Sequence, residues 1–182
     1  MTVPHAIRTA RLLLRPFGAE DAHALLPVLE ANQDHLSRWI PEHVWRPVPL
    51  PELAVRLDGF AAAFAEDREW RYAVLSADGS AIIGEVDLFP RAARGRVPYA
   101  ESDRAEIGYW LCADMSGRGL ATEAVRAMLE VAQSLPRITQ VVIRCDALNA
   151  PSGAVPARLG FALTDTERDG VDVLQVWTMA LH

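Results

Sequence analysis

Apolar side chains recur along this chain at two spacings, every second residue in some segments and every third or fourth in others, and each change of spacing marks an element. TARLLLRPF (9–17) reads as a first strand. GAEDAHALLPVLEANQDHLSRWI (18–40) reads as a helical region that Pro27 should bend or break, because proline has no N–H to give a helix. The proline-rich stretch IPEHVWRPVPLP (40–51) follows as a loop. Leu50, Leu53, Leu57, Phe60, Ala61 and Phe64 form one apolar stripe, which predicts an amphipathic helix over 51–66 with Pro51 in its first turn. WRYAVLS and AIIGEVDLF flank a turn around Asp78-Gly79, a strong hairpin signal, and so read as antiparallel strands.

A polar loop, RAARGRVPYAESD (91–103), leads into RAEIGYWL, which alternates as a strand does. SGRG turns the chain, and LATEAVRAMLEVAQSL repeats apolar residues at helical spacing up to Pro136. ITQVVIRCD is a short apolar strand, NAPSGAVPARLGF a short helix with Gly160 at its exit, and ALTDTER with VDVLQVWTMAL a closing hairpin around Asp169-Gly170. The total is a mixed α/β (α+β) fold: one domain over 1–182, with a mostly antiparallel sheet of about seven strands and flanking helices. The strand–helix–strand crossover should set RAEIGYWL and QVVIRCD side by side as a parallel pair.

Composition narrows the chemistry. A chain of 182 residues that is 51% hydrophobic suits a single core. The formal net charge of -6 argues against nucleic acid or an anionic membrane as partner and favours cationic substrates. All 18 basic residues are arginines scattered along the chain, which points to no particular site. Cys112 and Cys145 have no metal-like spacing, so no metal is expected, and a reducing cytoplasm is the expected compartment. No apolar run reaches the roughly 20 residues that span a bilayer, nor does the N-terminus carry the apolar block of a signal peptide.

SGRGLATEAV (116–125) carries the clearest chemistry. Glycines between a strand and a helix let backbone approach a ligand, and the first amides of a helix are free to hold phosphate oxygens. A Walker-type loop is excluded because the chain has no lysine, and a dinucleotide fingerprint because Thr122 stands at its third glycine. Strand, glycine turn, helix and strand, then Asn149-Ala150-Pro151-Ser152 and Leu159-Gly160-Phe161, resemble the GCN5-related N-acetyltransferase (GNAT) family. The family's pyrophosphate motif, Gln/Arg-x-x-Gly-x-Gly/Ala, here reads Ser116-Gly117-Arg118-Gly119-Leu120-Ala121, with Ser116 departing at the first place. TARLLLRPF, DHLSRWIP (34–41), AEIGYWL, GLATEA, NAPS and LGF together resemble its RimJ/RimL branch, which acetylates protein N-termini and related amines.

That resemblance implies acetyl-CoA as co-substrate, lying where the two parallel central strands splay apart. Leu111, Cys112 and Ala113 would pair with its pantetheine arm, Ser116, Gly117, Arg118, Gly119, Leu120, Ala121 and Thr122 would hold its pyrophosphate, and Asn149 would hold the pantetheine or the strand end. The chemistry needs a base for the amine and a proton for the leaving thiolate. Glu106, a carboxylate in an otherwise apolar strand, is the expected base, on the same strand face as Gly108 and Trp110. Glu85 and Asp87 on the neighbouring strand are the alternatives and are expected to draw in a cationic substrate. Many relatives carry a tyrosine acid where Pro156 stands, so Ser152 is the expected helper of the thiolate; Asn149 and Ser152 also suit a helix cap. Tyr109 is another possible donor, facing away from Glu106. Relatives often carry Asp where Leu174 stands. Trp39, with Trp45 and His35, is expected to wall an acceptor pocket, where Asp34 or Glu42 would pair with an ammonium. The acceptor implied is a protein or peptide N-terminal amine, with a small amine (aminoglycoside, polyamine or amino acid) or a non-catalytic acyl-CoA-binding role as alternatives. Homodimers are common in this branch.

Overall fold

A computed structural model describes residues 3–170 and 172–181. Val171, where the closing strand was expected to begin, lies outside them. In chain order the elements are β1 (Ile7–Arg8), β2 (Leu12–Pro16), α1 (Ala22–Ala31), α2 (Gln33–Leu36), α3 (Glu42–Trp45), α4 (Leu50–Ala65), β3 (Trp70–Ser76), β4 (Ile82–Ala92), β5 (Gly95–Arg96), β6 (Arg104–Leu111), α5 (Leu120–Ser134), β7 (Gln140–Asp146), α6 (Ala150–Leu159), β8 (Ala162–Asp169) and β9 (Asp172–Ala180). The sheet has nine strands among the described residues, in the order β1-β2-β3-β4-β6-β7-β9-β8, with β5 paired to β4. Seven are the expected ones, and the two additions, β1 and β5, are two-residue pieces too short to show a period. Pro27 lies inside α1 without ending it, and the break comes at Asn32. The proline-rich loop contains a single helical turn, α3, a length at which no periodicity can be read.

The register assigns every strand residue to a face. Opposite pairs Glu85↔Trp110, Asp87↔Gly108 and Phe89↔Glu106 place these six positions on one face, and Asp87↔Arg71 adds β3 to it. This face packs against α1 and α4, where Leu25, Leu29, Leu53 and Leu57 meet Ala73, Leu75 and Trp110. The other face carries Val86, Leu88, Ile107, Val141 and Ile143 against Val125, Met128 and Ala132 of α5 and Val155 of α6. β4, central and covered on both faces, is buried from Ile82 through Pro90, acids included.

β6 and β7 are the parallel pair, as the crossover predicts. They pair only over Arg104↔Gln140, Ala105↔Val141 and Glu106↔Val142. Beyond Glu106, β6 continues along β4 and β7 continues along β9, so the two strands part and leave a gap in mid-sheet.

Candidate active site

The turn that follows β6 is built to present backbone. Gly117 and Gly119 both hold left-handed φ values of 74° and 76°, which side chains other than glycine adopt at a cost. Gly119 is the N-cap of α5 and supplies no side-chain cap. Among the described residues the amides of 117–122 donate to no protein group, and Glu123 N–H is the first that bonds back, to the Gly119 carbonyl. The Thr122 hydroxyl is buried in this first turn without a partner among the described residues. Free amides at a positive helix end and an orphaned hydroxyl fit the pyrophosphate of acetyl-CoA. The Arg118 side chain is exposed, whereas Ser116 turns its hydroxyl back to the Cys112 carbonyl (3.3 Å). Leu111, Cys112 and Leu120 are buried; Leu111 and Leu120 belong to the core beneath α5, so only their backbone is left to meet a ligand, whereas Cys112 belongs to the α1/α4 core and its backbone is engaged, N–H with the Ile83 carbonyl and carbonyl with the Met115 amide, against the expected pantetheine pairing. Ala121 packs against the α5-side core.

A neighbouring cation was missed in the sequence. Arg11 donates to the Arg118 carbonyl (2.8 Å) and lies 3.6 Å from where a Cβ on Gly119 would stand. Glu123 fixes it, accepting from Arg11 Nε (2.7 Å), the Arg11 amide (2.8 Å) and the Thr9 hydroxyl (2.6 Å).

The gap is lined unequally on its two sides. Cys112 N–H bonds to the Ile83 carbonyl, so alternation turns the backbone groups of Ile107, Tyr109 and Leu111 toward the gap, where a pantetheine can pair with them. The Ala113 amide is already taken by Asn32 Oδ1 (2.9 Å). On the α5/α6 side, Tyr109 donates to the Ser152 carbonyl (2.9 Å), and its oxygen lies 3.2 Å from Ser152 Oγ. Burial pushes the Tyr109 phenol well above its ordinary value, so it stays protonated. Asn149 caps α6, its Oδ1 accepting from the Ser152 amide (3.2 Å). Burial also raises the thiols, that of Cys112 to about 11, which keeps both as neutral, free cysteines. Leu174 stands opposite Asp146 at the end of β7.

On the α1/α4 side stand the acids. Glu106, the last residue of β6 paired to β7, is held by Arg91 of β4. Glu85 is 3% exposed and fully engaged, accepting from Arg71 (2.9 Å) and from Trp110 Nε1 (3.1 Å). Asp87 is 6% exposed; Oδ2 lies 3.7 Å from Arg71, and Oδ1 has no partner among the described residues. Burial first, and then Glu85 beside it, hold the Asp87 carboxyl well above the ordinary carboxylate value. Arg71, stacked over Phe60 (4.4 Å) and Phe89 (4.9 Å), serves both acids and Glu69. Trp39 is half-buried on the turn after α2, and it is Trp45 that packs on the α1/α4 core. No group of metal-binding side chains occurs among the described residues.

The family profile described as "Acetyltransferase (GNAT) domain" matches residues 11–162. YdaF of Bacillus subtilis (strain 168), named a "putative ribosomal N-acetyltransferase", is 25% identical over 162 residues, 89% of this chain and 84% of YdaF. Among solved structures, RimL, the ribosomal L7/L12 alpha-N-protein acetyltransferase in complex with coenzyme A, superposes with a TM-score of 0.80 at 19% identity, covering 100% of this chain and 98% of RimL. The microcin C7 self-immunity acetyltransferase MccE, in complex with acetyl-CoA and AMP, gives 0.80 at 19% identity over 95% of this chain and 94% of its own. A profile that matches most of the chain, with the glycine turn and the parted parallel strands inside it, makes this chain a member of the GNAT acetyltransferase family.

Proposed function

We propose that this N-acetyltransferase moves the acetyl group of acetyl-CoA directly to a protein or peptide N-terminal amine. The observation that carries the donor half is the uncapped turn at 116–122 opening beside the gap between β6 and β7. Residues 117–122 and Arg11 would hold the pyrophosphate, and the gap-facing backbone of Tyr109 and Leu111 would hold the pantetheine, Asn149 steadying the far wall. The thioester then lies between two kinds of group. Ser152, with Tyr109 behind it, is placed to give a proton to the leaving thiolate. The carboxylate base belongs on the α1/α4 side, where Glu106 stands at the apex of the gap and meets the incoming ammonium.

An N-terminal acceptor is favoured by the YdaF and RimL relationships and by its chemistry. An α-amine has an ordinary pKa near 7.7, well below that of a lysine side chain near 10.4, so it needs only a modest base. Trp39, left out of the core, is free to wall the acceptor. A screen for CoA release at fixed acetyl-CoA, across serine- and alanine-initiated hexapeptides, spermine and an aminoglycoside, tests the acceptor. Release with the peptides is expected; release with small amines alone would move the acceptor to that class, and acetyl-CoA binding with no release would make this a non-catalytic module. Glu106→Gln should lower kcat/KM about 100-fold, and full turnover in that variant would remove Glu106 from the reaction.

A further inference from the structure

Asp87 differs from the other acids near the gap in having a buried oxygen without a partner among the described residues. Glu85 is saturated by Arg71 and Trp110, and Glu106 already holds Arg91. Asp87 Oδ1 is buried without a partner among the described residues, while Oδ2 stands off from Arg71 at 3.7 Å. Burying a carboxylate with so little compensation costs stability, a feature that persists where it serves a purpose.

The residue directly across from Asp87 is Gly108. Its backbone is not left-handed, so the turn geometry does not ask for glycine. What glycine provides is space: a Cβ there would lie 3.5 Å from Asp87 Oδ2 and 3.5 Å from the Phe89 ring. Glu106 and Trp110 precede and follow on the same face, so Gly108 leaves a methyl-sized notch between them, bounded by Asp87 Oδ2 and the Phe89 ring, just past the apex of the gap. An ammonium at this notch would meet Asp87 Oδ2, with Glu106 the preceding acid on the same strand face.

We propose that Asp87 is a catalytic carboxylate of this enzyme: the acceptor amine sits in the Gly108 notch between Glu106 and Asp87, and Asp87 takes its proton. The inference rests on the acetyl-transfer reading and divides the work of the base between two carboxylates. Glu106, fixed by Arg91, holds the ammonium. The ammonium first loses one proton to solvent; as the neutral nitrogen bonds to the acetyl carbon, the carbon–sulfur bond breaks, a second amine proton passes to Asp87, and the thiolate takes the Ser152 hydroxyl proton, which solvent restores. Asp87 returns its proton to solvent when the acetylated product leaves. The charged groups facing Asp87 are Glu85 on its own strand, Arg71 on β3 with Glu69 just before that strand, and Arg96 on β5, with Arg56 of α4 beside Glu85 and Arg71; Glu106 lies diagonally across on β6. Burial makes Asp87 the better proton acceptor than an ordinary surface carboxylate.

The test measures pH profiles with whichever amine of the panel turns over fastest. Asp87→Asn, isosteric with the protonated acid, should lower kcat about 100-fold and abolish the acid limb of the kcat profile. Glu106→Gln should act mainly through acceptor KM and keep that limb. Gly108→Ala adds a methyl at ordinary contact distance, so it should fold, bind acetyl-CoA as before and raise acceptor KM at least tenfold. Wild-type turnover with an unchanged acid limb in Asp87→Asn overturns the proposal. Should Asp87→Asn not fold, an unchanged acceptor KM in Gly108→Ala does the same. Absence of CoA release from the wild type with every amine would instead overturn the transferase reading, and this inference with it.

Discussion

Tyr109 shows how far a single residue's role can lie from its strand position. Alternation turns it away from Glu106, yet its hydroxyl reaches α6 and ends 3.2 Å from Ser152 Oγ. A neutral hydrogen bond is worth about 0.5–1.5 kcal/mol, which corresponds to roughly two- to tenfold in rate. Tyr109→Phe should therefore lower kcat by that factor and leave KM for acetyl-CoA unchanged, and steady-state kinetics with varied acetyl-CoA measure both. If Tyr109 acts by placing the serine hydroxyl, an acetyl thioester of a more acidic thiol should recover part of the loss. A purely packing role would not respond to the leaving group.

At the scale of elements, α5 is fastened to the N-terminal strands through one carboxylate. Burial alone would raise the Glu123 carboxyl, but hydrogen bonds from Thr9 and Arg11 outweigh it and hold it below the ordinary value. A depressed folded-state pKa means stability that is present above the unfolded value and is lost as pH falls through the folded one. Glu123→Ala should cost about 2 kcal/mol at neutral pH. The difference from wild type should shrink as pH falls below about 4.3, as urea unfolding at a series of pH values would show. The elements themselves were largely legible in the chain because period and turn chemistry are local: the glycine turn, the stripe of α4, the alternation of β6. Their cross-links were not. Arg91 meets Glu106 across 15 residues of sequence, Tyr109 meets Ser152 across 43, and Arg11 meets Glu123 across 112, separations at which no spacing rule operates. The acids of β4 were visible as candidates, but their burial was not, because a central strand covered on both faces still showed polar residues every second place.

For the whole molecule, the sheet is a shared wall between two cores, α1 and α4 on one side and α5 and α6 on the other. The acids and Arg71 gather on the first side and the tyrosine–serine pair on the second, so the two proton transfers of an acetyl exchange would occur on opposite sides of one layer. On the proposed mechanism, that separation would keep the proton taken from the amine and the proton given to the thiolate on distinct paths.

The three residue pairs that join β6 to β7 are all that stitch β1–β6 to β7–β9 within the sheet. The layer is thus two panels on a narrow hinge, and a pantetheine lying in the opening would act as a missing strand that laces them together. Donor loading should then be felt as mechanical stiffening at both panel edges, with amides of Ile107–Leu111 and Ile143–Asp146 exchanging with deuterium more slowly once coenzyme A is bound. An enzyme assembled this way carries its donor as part of its own frame, and an acceptor arriving before that frame is closed finds no rigid wall to press against.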